Sequence, residues 1–485
     1  MADLSGTILP SLSFFKISLG LFAVEPDRLA EAIEVDESLV LAGVLLSLIS
    51  IYIAAKLGSE ICARINLPPV LGELIGGVAV GVSALRLLVF PSSGSDGTDS
   101  LIVQFLQATA GLSAAAIPSL FHAQGDVISV LAELGVIVLL FEIGLESNLK
   151  ALMAVGTQAL IVAIVGVAVP FGAGTAGLML VFGIPAVPAI FAGAALTATS
   201  IGITSRVLSE MGQLNSKEGQ IILGAAVIDD VLGIIVLAVV ASLARTGTID
   251  VGNVIYLIIS ASAFLIGAIV LGRVFNTSFV TVVGWLKTRG GVVLPAFVFA
   301  FFMAYLGAAL HLEAILGAFA AGLVLDETDE REELQGLVVP IADMLVPIFF
   351  VTVGARTDIS VLNPFIAENR EGLVMAVFLV IIAILGKVVT GFTVFTKEPM
   401  NRLAIGVGMI PRGEVGLVFL GVGAASGVLS PSLKAAIVVM VILTTFLAPA
   451  LLRVVFPVEA KPVLEATTVA VEGMAETQPV DSSGG

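Results

Sequence analysis

The chain has 485 residues, 58% of them hydrophobic and only 12% charged, with a formal net charge of −16. A soluble domain is about 45–50% apolar and about 25% charged, so this composition excludes a soluble enzyme and a disordered chain. The acidic balance excludes a surface built to seek nucleic-acid phosphates, and a single cysteine, Cys62, excludes disulfide frameworks and CxxC metal sites. What remains is an all-α polytopic membrane protein.

Charges and Pro/Gly clusters interrupt the apolar runs and leave thirteen predicted spans. They lie at 39–58, 70–89, 128–145, 153–182, 188–209, 219–243, 252–272, 291–309, 313–326, 340–356, 372–396, 403–427 and 434–452. The lead, 1–38, reads as either an interfacial helix over Ser11–Val24 or a disordered stretch, and lacks the pattern of a standard signal peptide. Segment 90–127, without Lys or Arg, reads as a long outer loop, and both histidines, His122 and His311, fall in loops. The fourth span is too long for one straight crossing; Pro170, Gly172 and Gly174 predict a kink or a surface-lying end. The tail, 457–485, reads as cytoplasmic disorder. With the N-terminus outside, thirteen Lys and Arg between Lys56 and Lys461 face the cytoplasm, and Arg245, Arg356, Arg370 and Lys434 face outward. That bias sets an N-out, C-in orientation.

Two stretches recur. Val70-Leu-Gly-Glu-Leu-Ile-Gly-Gly-Val in the second span parallels Ile315-Leu-Gly-Ala-Phe-Ala-Ala-Gly-Leu in the ninth. The run from Leu131 to Gly144 in the third parallels the run from Ile341 to Gly354 in the tenth, without a gap. Both matches are seven spans apart. An odd offset turns one copy over, and inverted repeats mark secondary transporters that bind cargo near the midplane.

Ionisable side chains within lipid are costly and usually functional. The sixth span holds Asp229 and Asp230 side by side, the eleventh Lys387, and the twelfth Arg412 and Glu414. Arg412 with Glu414 can be read as a structural ion pair. The aspartates cannot be read so, because one lysine does not neutralise two adjacent carboxylates: one acid must stay protonated, bind a cation or face water. A carboxylate that holds either a proton or a small cation, never both, is the chemistry of an antiporter. The fifth span carries Thr197-Ala-Thr-Ser-Ile-Gly-Ile-Thr in mid-membrane, and the twelfth carries Pro411 and Gly413. Breaks at these matching places would expose backbone carbonyls to an ion; the alternative is that the hydroxyls bond back within their own helix. Glu142 in the third span, and Glu73 and Glu133 near span ends, read as packing or pathway residues rather than primary ligands.

On these residues the sequence resembles the second branch of the monovalent cation:proton antiporter superfamily, close to NapA-type bacterial sodium/proton antiporters. The resemblance runs through Leu67-Pro-Pro-Val-Leu-Gly-Glu, Leu140-Phe-Glu-Ile-Gly-Leu-Glu, the Thr197 stretch, Ala226-Val-Ile-Asp-Asp-Val-Leu-Gly, Pro347-Ile-Phe-Phe-Val-Thr-Val-Gly and Met409-Ile-Pro-Arg-Gly-Glu-Val-Gly-Leu. It implies a homodimer of thirteen-helix protomers with two inverted repeats and crossed broken helices. Dimerisation-domain helices at 39–145 and 291–356 would flank a core domain at 146–243 and 357–456, joined by a linking helix within 244–290, and the core would move as an elevator. By the same resemblance, Asp230 is the main cation and proton carboxylate, and Asp229 pairs with Lys387 when no ion is bound. Thr199 and Ser200 are broken-helix ligands, Thr197 and Glu142 supporting residues, and Arg412 and Glu414 structural. It implies electrogenic exchange of Na+ or Li+ for H+ without a cofactor or enzymatic step, in a bacterial inner membrane or a thylakoid membrane. K+/H+ exchange is the runner-up; no Gly-x-Gly-x-x-Gly follows a strand and no soluble domain follows residue 457, which argues against the gated potassium-efflux form alone. Sodium-coupled symport of an organic anion would need free cationic groups, whereas Lys387 has an acidic partner. An intramembrane aspartyl protease is disfavoured, because adjacent aspartates point about 100° apart on a helix.

Overall fold

Apolar runs of this length can satisfy their backbone amides in lipid only as helices, and every regular element among the described residues is helical. The computed structural model describes residues 37–91, 95–111, 113–246, 250–286, 290–328, 330–365, 367–396 and 399–456. Residues 1–36 of the lead, the tail 457–485, and Lys287, Arg289, Lys397 and Lys461 lie outside the described residues.

In chain order the helices are α1 (Glu37–Arg64), α2 (Pro69–Val80), α3 (Leu101–Ala110), α4 (Ile117–Glu146), α5 (Leu149–Ala154), α6 (Gly156–Val181), α7 (Ala186–Ala195), α8 (Ile201–Glu210) and α9 (Lys217–Thr246). They continue with α10 (Val251–Trp285), α11 (Val293–Ala309), α12 (Ala314–Leu325), α13 (Arg331–Ala355), α14 (Ala367–Gly391), α15 (Arg402–Gly408), α16 (Glu414–Ala425) and α17 (Pro431–Val455). Among the described residues eight helices (α1, α4, α6, α9, α10, α13, α14 and α17) are long and apolar enough to cross a membrane. Three more predicted spans fall on the shorter α2, α11 and α12, and two fall on the interrupted pairs α7–α8 and α15–α16.

Local chemistry sets several ends. Pro69 opens α2, where a missing N–H costs nothing. Asn401 and Ser430 cap α15 and α17 by accepting from Ala404 N and Leu433 N at 3.0 and 3.3 Å. Other ends depart from the sequence reading. The second span is helical only to Val80, because Gly81 is extended and the chain folds back, with Leu87 and Leu88 N–H both donating to Val80 O at 2.9 Å. Segment 90–127 is not a plain loop: it holds α3 and the first turns of α4, so His122 is helical rather than in a loop, whereas His311 lies in a turn at φ +62°. The polar residues that break the hydropathy there are accommodated inside; Gln124 Nε2 donates to Ser47 Oγ of α1 at 2.7 Å, while Leu120 and Phe121 cluster with Ile102, Val103 and Leu106 of α3. The over-long fourth span is relieved at Val155, which separates α5 from α6, and Pro170 sits within an uninterrupted α6.

Packing sorts the helices into two groups. Helices α1, α2, α4, α11, α12 and α13 pack together, and α6 to α9 pack with α14 to α17. α10 touches α9 on one side and α11 and α12 on the other, while α8 meets α2 and α4 across the seam. The recurring sequences sit in matching packing positions. A Cβ on Gly77 of α2 would lie 2.9 Å from Gly354 Cα of α13, and one on Gly322 of α12 would lie 2.7 Å from Gly144 Cα of α4. Gly72 closes on Gly58 O and its counterpart Gly317 on Met303 O, the partner in both cases being fourteen residues upstream. Small residues allow such backbone approach in lipid, where packing rather than hydrophobicity holds helices together. The outer face of α1 (Leu41, Leu45, Ile49, Ile53, Leu57 and Ile61) is an exposed apolar stripe at four-residue spacing, as a lipid-facing surface requires.

Candidate functional site at the crossing of two broken helices

Helix α7 stops at Ala195 and α8 begins at Ile201; α15 stops at Gly408 and α16 begins at Glu414. Pro411 cannot donate to a helical ladder and Gly413 is extended (φ −138°, ψ −147°), so the second break is written in the sequence. Each break leaves carbonyls without intrahelical donors, and the two breaks satisfy one another. Ser200 N–H donates to Pro411 O at 2.9 Å, Thr199 Oγ1 to Met409 O and Thr204 Oγ1 to Gly408 O, both at 3.1 Å. In return the Arg412 guanidinium donates to Ala198 O at 2.8 Å and to Leu196 O, at the negative end of α7. Arg412 O accepts from Thr445 Oγ1 of α17.

Helix α9 packs against all four half-helices. Its Gly233 is level with the first break, 3.4 Å from Ala198 Cβ measured from a hypothetical Cβ, and Asp229 and Asp230 lie one turn before it. Both aspartates, Lys387 of α14 and Arg412 are at most 2% exposed. Lys387 Nζ is 3.1 and 3.3 Å from the two oxygens of Asp229, and Thr390 Oγ1 donates to Lys387 O at 2.6 Å. Gly166 of α6 leaves room for the ammonium: a Cβ there would stand 3.1 Å from Nζ.

The predicted residues therefore divide. Asp229, Asp230, Lys387, Thr199, Ser200 and Arg412 belong to the two breaks and the helices that pack on them. Ser200 Oγ is buried and makes no hydrogen bond. Thr197 Oγ1 donates to Ala194 O, in the last turn of α7, at 2.7 Å, the local back-bond. Glu142 is in α4, in the other bundle. Glu414 opens α16, but its side chain lies outside the described part. Thr204, read in the sequence only as part of the hydroxyl run, is one turn beyond Ser200 on the same face of α8. One group at the crossing escaped the sequence reading: Thr445 of α17, whose place beside the break no sequence pattern gives. Glu73, Arg206 and Glu210 also gather where α8 meets α2, a grouping taken up below.

Two interrupted helices crossing beside buried charges are the build of a secondary ion carrier. The sodium/hydrogen exchanger, transmembrane family matches residues 44–457; the chain belongs to that family, within the cation:proton antiporter superfamily, and is an integral multi-pass membrane protein. It is 62% identical over 431 residues to the high-affinity Na+/H+ antiporter NhaS3 of Synechocystis sp., covering 88% of this chain and 94% of that one. It is 31% identical over 420 residues to the Na+/H+-K+ antiporter GerN of Bacillus cereus, covering 85% and 96%. The sodium proton antiporter MjNhaP1 of Methanocaldococcus jannaschii has the same fold, with a TM-score of 0.59 at 16% identity, over 86% of this chain and 97% of that one.

Proposed function

We propose that this protein exchanges Na+ or Li+ for H+, with Asp230 as the carboxylate for which the two ions compete. The observation that carries the reading is the fully buried Asp229–Lys387 pair at 3.1 Å, on the residue next to Asp230 and beside two crossed helix breaks. One ammonium does not neutralise two adjacent carboxylates, and with Lys387 on Asp229 the exchangeable acid is assigned to Asp230. Ser200 and Thr199 supply hard oxygens beside it, the ligand type that small alkali ions require. When the cation arrives, Asp230 gives up its proton to the open face; when a proton returns, the cation loses its charged ligand and leaves. Asp229 keeps Lys387 neutralised between ions. Arg412 holds the two breaks in register and takes no part in exchange.

Further parts of the reading are supported by the packing, by the family resemblance and by the Lys and Arg bias. The group containing α6 to α9 and α14 to α17 acts as the moving core, the group containing α1, α2, α4 and α11 to α13 as the dimerisation scaffold of a homodimer, and α10 as the link. The N-terminus faces outward and the C-terminus the cytoplasm. The name of the GerN relative includes potassium, which makes K+/H+ exchange the second reading. Proton flux into proteoliposomes, with Na+, Li+ and K+ supplied in turn, decides between them. Na+ and Li+ collapse an imposed pH gradient under the first reading, K+ under the second, and a protein that responds to none of the three carries neither.

A further inference from the structure

Outside the crossing the molecule holds a second buried charge cluster. Arg206, nearly two turns along α8 from Ser200, pairs with Glu210 at 3.1 Å, and Glu210 Oε2 accepts from Val70 N in the first turn of α2 at 3.4 Å. The charges of Glu73 of α2, Glu142 of α4 and Asp343 of α13 also act on Arg206. Glu73 and Glu142 are 6% and 5% exposed, and the Oε2 atom of each is buried without a hydrogen bond. Ser59 Oγ reaches only Glu73 Oε1, at 3.4 Å. Glu146, a turn beyond Glu142, differs in being held by Ser209 Oγ at 2.8 Å.

Four carboxylates around one guanidinium leave the cluster short of positive charge. Buried carboxylate oxygens without donors are costly unless a cation or a proton satisfies them. The cluster also lies at the boundary between the two helix groups. α8 belongs to one bundle and α2, α4 and α13 to the other, so it straddles the seam on which the proposed motion slides. Between it and the crossing, the side of α8 at Gly202 faces the apolar side chains of Val136 and Leu140 of α4 and Phe349 of α13. Among the described residues no three acidic, histidine or cysteine side chains converge to hold a metal ion, so the cluster offers no chelating set of the kind that grips a divalent ion.

We infer that Glu73 and Glu142 form a second cation site, a staging position for an alkali ion at the seam, where the arriving ion takes over negative charge that Arg206 otherwise neutralises. This rests on the antiport reading. The test is Na+-driven proton flux in proteoliposomes, with Na+ supplied on the face that carries the α8–α9 turn. It compares the parent with Glu73→Gln, Glu142→Gln, their combination, and the Asp replacements at both positions. Loss of a focused charge raises the KM for Na+ by about tenfold in the combined Gln variant, with kcat retained at saturating Na+; Arg206→Gln lowers the KM, and the Asp replacements restore it. A combined variant, or either single Gln variant should the combination not fold, that keeps the parent KM overturns the staging site alone. So does a fall in kcat with KM unchanged, the mark of a brace. Absence of any cation-driven flux in the parent overturns both readings.

Discussion

Replacing Lys387 by Gln leaves Asp229 at zero exposure without the ammonium that lies 3.1 and 3.3 Å from its oxygens. Removing one partner of a buried ion pair costs roughly 3–5 kcal/mol, mostly the penalty of the stranded charge. Arg412 also acts on Asp229, which places Lys387→Gln near the lower end, about 3 kcal/mol. Asp229→Asn strands Lys387 in the same way, although Asp230 relieves it in part. Removing both partners together leaves two neutral amides and no stranded charge, so the buried-charge penalty that each single variant carries is absent. The double variant is therefore expected to be more stable than either single one, with a coupling on the order of 3 kcal/mol. Denaturant unfolding of the purified protein in mixed micelles, at one fixed pH, measures all four species. A double variant whose loss equals the sum of the two singles would show that the pair is not an isolated buried unit, and the reasoning fails.

Two further outcomes follow from the packing. Arg412→Met leaves the carbonyls of Leu196 and Ala198 without their buried donor; at about 1–3 kcal/mol for each unsatisfied group, melting in detergent falls by several degrees, and an unchanged melting temperature would contradict the bracing role. Gly77→Ala and Gly322→Ala, which press on Gly354 and Gly144 at related positions, each cost about 1–3 kcal/mol by overpacking; free tolerance of either substitution would mean that the backbone contact there does not hold the bundle.

Much of the site was legible because charge in an apolar run is conspicuous. Asp229, Asp230 and Lys387 stand out in their spans, and a lone lysine has few acids to meet. The breaks were legible too, through Pro411, Gly413 and the run of hydroxyls after Leu196. Arg412 was legible as a buried charge; its bonds to the Leu196 and Ala198 carbonyls in the break after α7 exist only once the two breaks cross, and the Glu414 side chain, its neighbour in sequence, lies outside the described residues. His122 and the start of α4 were hidden because Gln124 interrupts the apolar run, and its acceptance inside depends on Ser47, 77 residues away. Arg206 looked like a span-end charge, because the three helices that bring Glu73, Glu142 and Asp343 to it are not adjacent in the chain.

The competition of two ions for one carboxylate is tested most directly by Na+-driven proton flux through Asp230→Asn in proteoliposomes, beside a melting curve that shows the variant is folded. The account predicts a folded protein with no sodium-dependent proton movement from either face. Exchange that persists at the parent rate would mean that Asp230 is not the group the ions share.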